Sequence, residues 1–169
     1  CAGLSPSLIT GAGLVSLERL GKIGNAVAGN GEWLVIEADE SDGSLVRYFP
    51  DIGIILNVDK DHKEISELEE IFQKFSENIK ERNGVLFANG DNLLAAKYVS
   101  NRLNLFGKEQ SYGVQGVDYR VEGFSSCFRV RCAGELVRFC LPLPGKHNME
   151  NALAATSAAL KVGVNLHDI

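Results

Sequence analysis

The sequence lacks the features that would place it in several other classes of protein. No apolar run in its 169 residues is long enough to span a bilayer, so we expect no membrane partner. The formal net charge of -5 argues against a nucleic-acid partner, because the phosphate backbone attracts basic surfaces. Hydrophobic residues make up 45% and charged residues 23% of the chain. This composition is typical of a soluble globular domain, and we expect it in the cytoplasm.

Cysteine motifs and common catalytic motifs are also missing. The four cysteines, Cys1, Cys127, Cys132 and Cys140, have neither CxxC nor zinc-ligand spacing. We therefore expect reduced thiols, as in other cytoplasmic proteins. No GxxxxGK[ST] phosphate-binding loop occurs, and no Ser/His/Asp or Cys/His set suggests nucleophilic catalysis. Any chemistry must lie with other residues.

The stretch from Trp33 to Ser44 joins an apolar run to a cluster of acids. Residues 33–36 predict a short strand buried on both faces. Four carboxylates follow within six residues: Glu37, Asp39, Glu40 and Asp42. Unpaired buried carboxylates are costly, whereas the carboxyl edge of a parallel sheet is where open α/β folds bind ligands. The residues alone leave open whether this is a ligand site or an acidic surface turn.

A second apolar run shows the same arrangement. Residues 52–56 predict a buried strand that ends in Asn57-Val-Asp-Lys-Asp-His62. If the two strands are parallel and adjacent, both polar clusters lie at one edge of a sheet. An earlier strand is predicted within residues 4–10.

The central part of the chain alternates helix and strand. An apolar stripe from Ser66 to Asn83 predicts a long helix, with a capping box formed by Ser66 and Glu69. Residues 85–88 predict a third strand. Asp91 is then expected to cap a second helix that runs to about Leu103.

The remaining chain predicts a different kind of sheet. Four short runs predict an antiparallel meander within residues 109–142: residues 110–114, 119–124, 127–132 and 136–141. A last helix is predicted from Asn148 to Val162, within residues 143–169. With residues 1–108 as the parallel part, the predicted fold class is α/β, a mostly parallel sheet with helices on both faces plus a small antiparallel meander.

Two pairs of polar residues suggest ligand binding. Glu37 and His62 each follow a predicted strand and could share a divalent cation, with Mg²⁺ or Mn²⁺ favoured by an oxygen and an imidazole ligand. The alternative is that His62 is a polar residue before a helix. Asn148 and Asn151 share a helix face and could read a purine edge through their amides. The alternative is that Asn148 is an N-cap.

Four motifs, in their order and spacing, resemble the central ATPase domain of the Mur ligase family. They are Glu37-Ala-Asp-Glu-Ser-Asp-Gly-Ser44, Asn57-Val-Asp-Lys-Asp-His62, Asn89-Gly-Asp91 and Leu143-Pro-Gly-Lys-His-Asn-Met-Glu-Asn-Ala152. Members of this family are ATP-dependent enzymes that form amide bonds in peptidoglycan synthesis. They activate a carboxylate as an acyl phosphate, and an amine then displaces the phosphate.

The resemblance assigns roles to particular residues. It implies metal binding and catalysis by Glu37 and His62, nucleotide binding by His147, Asn148 and Asn151, and substrate binding by Asp39, Ser41 and Asp42. ATP and Mg²⁺, or Mn²⁺, are the implied cofactors. The acidic motif has the form found in ligases that act on UDP-N-acetylmuramate, which implies this substrate and L-alanine. Two alternatives are a ligase that recycles murein tripeptide and a non-catalytic nucleotide-binding module.

The resemblance also implies parts that the 169 residues do not contain. The family's phosphate-binding loop is expected shortly before residue 1. The family's amino-terminal and carboxy-terminal domains are expected before and after these residues. By themselves, residues 1–169 are therefore not expected to catalyse the complete reaction.

Overall fold

The computed structural model describes residues 2–60 and 64–169, which form two compact units, Cys1–Leu45 and Val46–Ile169. The first unit holds a three-stranded sheet in the order β2-β1-β3. Its elements are β1 (Ser7–Ile9), α1 (Val15–Glu18), β2 (Ala26–Val27) and β3 (Leu34–Ile36). Strand β1 pairs antiparallel with β2 and parallel with β3. The strand predicted within residues 4–10 is confirmed.

The second unit is built on a six-stranded sheet in the order β4-β5-β6-β7-β8-β9. The strands are β4 (Ile52–Ile55), β5 (Val85–Asn89), β6 (Leu105–Gly107), β7 (Val114–Glu122), β8 (Ser125–Cys132) and β9 (Glu135–Leu141). Neighbours from β4 to β7 are parallel, and β7 to β9 form an antiparallel meander. The helices are α2 (Ile65–Glu81), α3 (Leu93–Ala96) and α4 (Lys146–Lys161), with 3-10 turns at Ser44–Arg47 and Arg102–Asn104.

Helices cover both faces of this sheet, which confirms the predicted fold class. On one face, Leu153 of α4 packs with Phe106, and Ile54 lies against the same core. Side chains alternate along a strand, so Gly53 belongs to the opposite face. A Cβ at Gly53 would lie 2.3 Å from Cδ1 of Ile79 in α2. The glycine therefore lets α2 approach the sheet closely.

None of the helices in the described ranges combines the length and the apolar character needed to cross a membrane.

The prediction that residues 33–36 form a strand buried on both faces is wrong. Leu34, Val35 and Ile36 are 53%, 50% and 37% exposed. Residues 2–45 hold only three short strands and one four-residue helix with no buried residue, which is too little structure to cover two sheet faces. Strand β3 pairs with β1, whereas β4 pairs with β5. The two strands that are followed by acidic residues, β3 and β4, therefore belong to different sheets and are not adjacent.

The long helix is confirmed, but its predicted capping box is wrong. The apolar stripe is buried at Leu68, Phe72, Phe75 and Ile79. The N-cap is Glu64, which makes no side-chain capping hydrogen bond. Ser66 then lies inside the first turn, where its hydroxyl is not in the capping position.

The second predicted helix is much shorter than expected. Asn92, not Asp91, caps α3, because the Asn92 side chain accepts a hydrogen bond from the Ala95 N–H. The helix has four residues. The apolar residues Leu105 and Phe106, placed beyond its predicted end, form the buried strand β6 between β5 and β7.

The antiparallel meander is confirmed with three strands instead of four runs. The nine-residue strand β7 begins at Val114, so the first predicted run, residues 110–114, is wrong except at its last residue. The second predicted run lies largely within β7. A register shift between Val117 and Arg120 interrupts its pairing with β8, and Asp118 adopts a positive φ of 54° there. Residues 115–118, predicted as a break between two strands, are therefore part of one strand with irregular pairing.

Two cysteines form a disulfide, so the expectation of reduced thiols is wrong for them. Cys127 and Cys140 lie directly opposite each other in the β8–β9 register, with their Cα atoms 4.2 Å apart. Cross-strand pairing brings them together, although their spacing in the sequence matches no motif. Cys132 is free, and burial raises the pKa of its thiol.

Candidate functional site

The first candidate site lies where the parallel strands β1 and β3 end. Strand β1 is followed by Thr10 and Gly11, and strand β3 is followed by Glu37. The Thr10 hydroxyl donates to Oε2 of Glu37 at 2.5 Å, and the Gly11 N–H donates to the same oxygen at 2.8 Å. The parallel pairing thus places a carboxylate against a glycine-containing turn, as expected for the carboxyl edge of an α/β sheet.

The two hydrogen bonds stabilise the charged form of Glu37. The Thr10 hydroxyl, followed by the Gly11 N–H, lowers the pKa of Glu37 below its ordinary value of 4.5. Slight desolvation and the nearby charge of Asp39 act in the opposite direction but are weaker. Oε1 accepts no hydrogen bond from the described residues. An ionised oxygen ligand of this kind fits a hard divalent cation such as Mg²⁺.

The acidic segment after Glu37 is folded into consecutive turns. The Ser41 N–H donates to Oδ1 of Asp39 at 2.7 Å, and the Ser44 N–H donates to Oδ1 of Asp42 at 2.7 Å. Both are local side-chain-to-backbone bonds of the kind that Asp makes in turns. The predicted substrate residues Asp39, Ser41 and Asp42 therefore lie in an ordered turn directly after β3.

The second predicted metal ligand, His62, lies outside the described residues. Its preceding strand β4 is described, and the polar residues directly after that strand contribute to the cavity below.

The second candidate site is a cavity of about 320 Å³ in the second unit. It lies past the carboxyl ends of three parallel strands, β4, β5 and β6, and at the start of helix α4. Its lining residues are Leu56, Asn57, Asp59, Asn89, Asp91, Asn92, Lys108, His147, Glu150 and Asn151. The parallel topology explains this convergence, because each of these strand ends is followed by polar residues at the same edge.

The loop after β5 is held rigidly at the cavity wall. The Asp91 N–H donates to Oδ1 of Asn89 at 3.0 Å. The Tyr112 hydroxyl donates to the Gly90 carbonyl at 2.8 Å. A Cβ at Gly90 would lie 2.3 Å from the Tyr112 ring, so only glycine permits this contact. The Lys108 N–H donates to both carboxylate oxygens of Asp91 at 3.2–3.3 Å.

Two lysines approach each other beside this loop. Lys108 Nζ lies 3.3 Å from Asp91 Oδ2. The Lys146 side chain interacts with that of Lys108, whose positive charge lowers the pKa of Lys146. Lys146 stands directly before His147, so this contact joins the end of β6 to the start of α4.

The structure separates the residues predicted to bind a nucleotide. His147 and Asn151 line the cavity, whereas Asn148 is not among the described residues that do so. The Asn148 amide instead donates to the Pro144 carbonyl at 2.8 Å and lies 3.1 Å from Nε2 of His147.

Sequence reasoning missed several lining residues. Asn57, Asn89 and Asp91 were parts of recognised motifs but received no role. Lys108 follows directly after β6, and it was missed because no strand is predicted there. The signal that could have found the first three is their position directly after predicted strands.

The chemistry of the cavity suits an uncharged, hydrogen-bonding ligand. Four asparagines line it, at positions 57, 89, 92 and 151. An amide can donate and accept at once, which matches the mixed edge of a nucleobase. Asn57, Asn89 and Asn92 each already make one local hydrogen bond with this group. The three lining carboxylates, Asp59, Asp91 and Glu150, can accept from amino or hydroxyl groups, and their charge disfavours a polyphosphate at the same place.

Comparison with known proteins defines the class. The model of the Mur ligase middle domain matches residues 18–159, and the chain belongs to this family. Among curated relatives, the chain is 35% identical to a UDP-N-acetylmuramate–L-alanine ligase from Syntrophomonas wolfei, matching 99% of this chain and 37% of the relative. The ligase with the same name from Desulfatibacillum aliphaticivorans is 32% identical over 99% of this chain and 37% of the relative.

Solved structures confirm the fold. A crystal structure of MurF from Acinetobacter baumannii superposes with a TM-score of 0.70 at 20% identity, covering 98% of this chain and 39% of that one. MurF ligase from Thermotoga maritima, in complex with ADP, gives a TM-score of 0.69 at 18% identity, with 96% and 40% covered. The chain thus spans about 37% of the length of the curated relatives.

Proposed function

We propose that this chain is the ATP-binding part of a ligase that joins L-alanine to UDP-N-acetylmuramate. In this proposal the adenosine of ATP occupies the amide-lined cavity, where His147 and Asn151 contact it. Glu37 and His62 hold Mg²⁺, or Mn²⁺ in its place. Asp39, Ser41 and Asp42 contact the substrate whose carboxylate is activated. We place the complete protein in the cytoplasm.

The observation that carries the proposal is the lining of the cavity. A cavity of about 320 Å³ is of the size that small-molecule sites have. Its asparagines offer paired donors and acceptors at the carboxyl edge of a parallel sheet, where nucleotides bind in open α/β folds. The names of the curated relatives support the choice of the two substrates.

The state of Glu37 supports its assignment as a metal ligand. Hydrogen bonds from Thr10 and Gly11 favour the charged carboxylate, which is the form that binds a cation. A divalent cation bound there would neutralise charge on the transferring phosphoryl group.

The reaction class follows from the proposed substrates. The carboxylate oxygen of UDP-N-acetylmuramate attacks the γ-phosphorus of ATP, and ADP leaves. The amine of L-alanine then attacks the carbonyl carbon of the acyl phosphate; inorganic phosphate leaves, and the amine loses a proton. Within the cavity, this chain's residues bind and orient the nucleotide for that transfer.

The test is phosphate release by the complete gene product. The protein is incubated with ATP, Mg²⁺ and UDP-N-acetylmuramate, together with either L-alanine or a murein tripeptide. We expect release that depends on L-alanine. Release only with the tripeptide would reassign the protein to the recycling reaction. No release with either amine, from protein that still binds ADP, would leave a nucleotide-binding module.

A further inference from the structure

The Asn148 side chain is not positioned to contact a ligand in the cavity directly. It stands one residue from His147 at the start of α4, but it is not among the described residues that line the cavity. Its Nδ2 atom donates to the Pro144 carbonyl at 2.8 Å and lies 3.1 Å from Nε2 of His147. Both contacts are within hydrogen-bond distance.

These two contacts fix which nitrogen of His147 carries the proton. A carbonyl oxygen only accepts, so the Pro144 contact requires the nitrogen of the Asn148 amide at that position and not its oxygen. The second hydrogen on the same nitrogen is then available to His147 Nε2. Nε2 must therefore act as the acceptor, and the proton of the neutral imidazole lies on Nδ1.

The surrounding backbone holds this arrangement. Gly145 has a φ of 109°, and a Cβ there would lie 2.4 Å from Cε1 of His147. The Gly145 carbonyl accepts from the Asn148 N–H at 3.1 Å and from the hydroxyl of the buried Ser126 at 3.3 Å. The turn before α4 is thus tied to β8, and the imidazole packs over a glycine that leaves room for it.

We propose that Asn148 is a positioning residue that holds His147 as the Nδ1–H tautomer, so that the imidazole offers one N–H donor to an acceptor atom of the nucleoside. This inference rests on the proposed nucleotide site. It separates the two asparagines of the motif, because Asn151 contacts the ligand and Asn148 acts through His147. Because Nε2 accepts a hydrogen bond from the Asn148 amide, Nδ1–H is the donor of the neutral ring that is left for a ligand.

The tautomer is tested first, on the complete gene product without nucleotide. The ¹⁵N shifts of the His147 ring are assigned by their loss in His147→Gln. We expect the wild-type pattern of a protonated Nδ1 and an unprotonated Nε2. Asn148→Asp replaces the donor by an acceptor and should move the proton to Nε2. An aspartate near a helix N-terminus is otherwise favourable, so this variant should fold. A wild-type proton on Nε2, or no change in Asn148→Asp, would overturn the proposal.

A double-mutant cycle then measures whether Asn148 acts through His147. We expect Asn148→Ala to weaken ADP binding by about threefold to tenfold, as for the loss of one hydrogen bond. In a His147→Ala background the same change should have less than about a twofold effect. An undiminished effect there would show that Asn148 contacts the nucleotide itself and would refute the positioning role.

The control is Asn101→Ala. The Asn101 side chain also makes a local hydrogen bond, because its Oδ1 accepts from the Leu103 N–H. It does not line the cavity. ADP affinity should be unchanged in this variant. The two readouts separate the claims: a correct tautomer in protein that does not bind ADP would contradict the proposed function and leave the tautomer assignment intact.

Discussion

The two units end their parallel strands in the same way but present different chemistry. At the edge of β1 and β3, one carboxylate, Glu37, is held as an anion by the Thr10 hydroxyl and the Gly11 N–H. At the edge of β4, β5 and β6, four asparagines surround a cavity. The first edge suits a cation, and the second suits the donors and acceptors of a nucleobase. The same sequence pattern, an apolar strand followed by polar residues, therefore locates a site without stating its ligand.

The largest effect is expected from removing the charge at the first edge. Glu37→Gln keeps the shape of the side chain but loses the negative charge that would bind the cation. We expect the turnover of the complete ligase to fall by about a hundredfold or more, because electrostatic contributions of this kind are large in catalysis. The measurement is phosphate release at saturating ATP and Mg²⁺.

The matched control is Glu40→Gln, the same change three residues further along the same acidic segment. Its turnover should stay near that of the wild type. Equal losses in both variants would mean that the segment acts through its total charge, and the distinct role of Glu37 would be lost.

A smaller effect is expected at the second edge. Asn151→Ala removes a lining amide, and we expect the Kd for ADP to rise about tenfold, since one or two hydrogen bonds are lost. The KM for UDP-N-acetylmuramate should change little, because the residues proposed to contact this substrate are different ones. Isothermal titration and steady-state kinetics measure the two quantities. A change confined to the KM for the sugar substrate would contradict the adenosine assignment.

Much of the fold could be predicted because the spacing of apolar residues indicates which face of a helix or strand is buried. The stripe of Leu68, Phe72 and Ile79 predicted α2, and alternating runs predicted the meander. Where spacing and tertiary context disagree, prediction failed. No element is predicted for Leu105 and Phe106, just past the predicted helix, yet they form a central strand because β5 and β7 provide backbone partners on both sides. Propensity is a weak guide where such partners exist.

The candidate site was predictable only in part, for a similar reason. Glu37 follows a strand, and His147 and Asn151 lie in the first two turns of α4. Each belongs to a motif that is continuous in the sequence. Tyr112, which bonds the Gly90 carbonyl, and Ser126, which bonds the Gly145 carbonyl, support the cavity from distant positions. Contacts of this kind depend on sheet register, which a single sequence does not display.

The third prediction concerns the turn that begins α4. Gly145 and Gly163 flank the helix, and both have positive φ angles, 109° and 86°. A Cβ at Gly145 would lie 2.4 Å from the His147 ring, whereas a Cβ at Gly163 meets nothing within 4 Å. We expect alanine to cost about 1–2 kcal/mol of unfolding free energy at Gly163 from backbone strain. At Gly145 it should cost about 1 kcal/mol more, because of the clash.

Chemical denaturation of the two variants measures this difference, and ADP titration gives a second readout. Gly145→Ala should also weaken ADP binding, since it displaces His147, whereas Gly163→Ala should not. Equal stability losses with unchanged ADP affinity would show that the close packing of His147 over Gly145 is not needed.

The smallest effect is the pH dependence contributed by Glu37. The Thr10 hydroxyl and the Gly11 N–H lower its pKa in the folded state below the ordinary value of 4.5, so the unfolded state binds more protons in that range. Stability from this group is therefore fully present above the unfolded pKa and is lost as pH falls through the folded value. The side chain is exposed, so the effect should be modest.

The difference in unfolding free energy between wild type and Glu37→Gln should shrink between about pH 5 and pH 3. A difference that stays constant over this range would mean that the two hydrogen bonds do not favour the charged carboxylate. Glu37 would then not be prepared electrostatically for a cation.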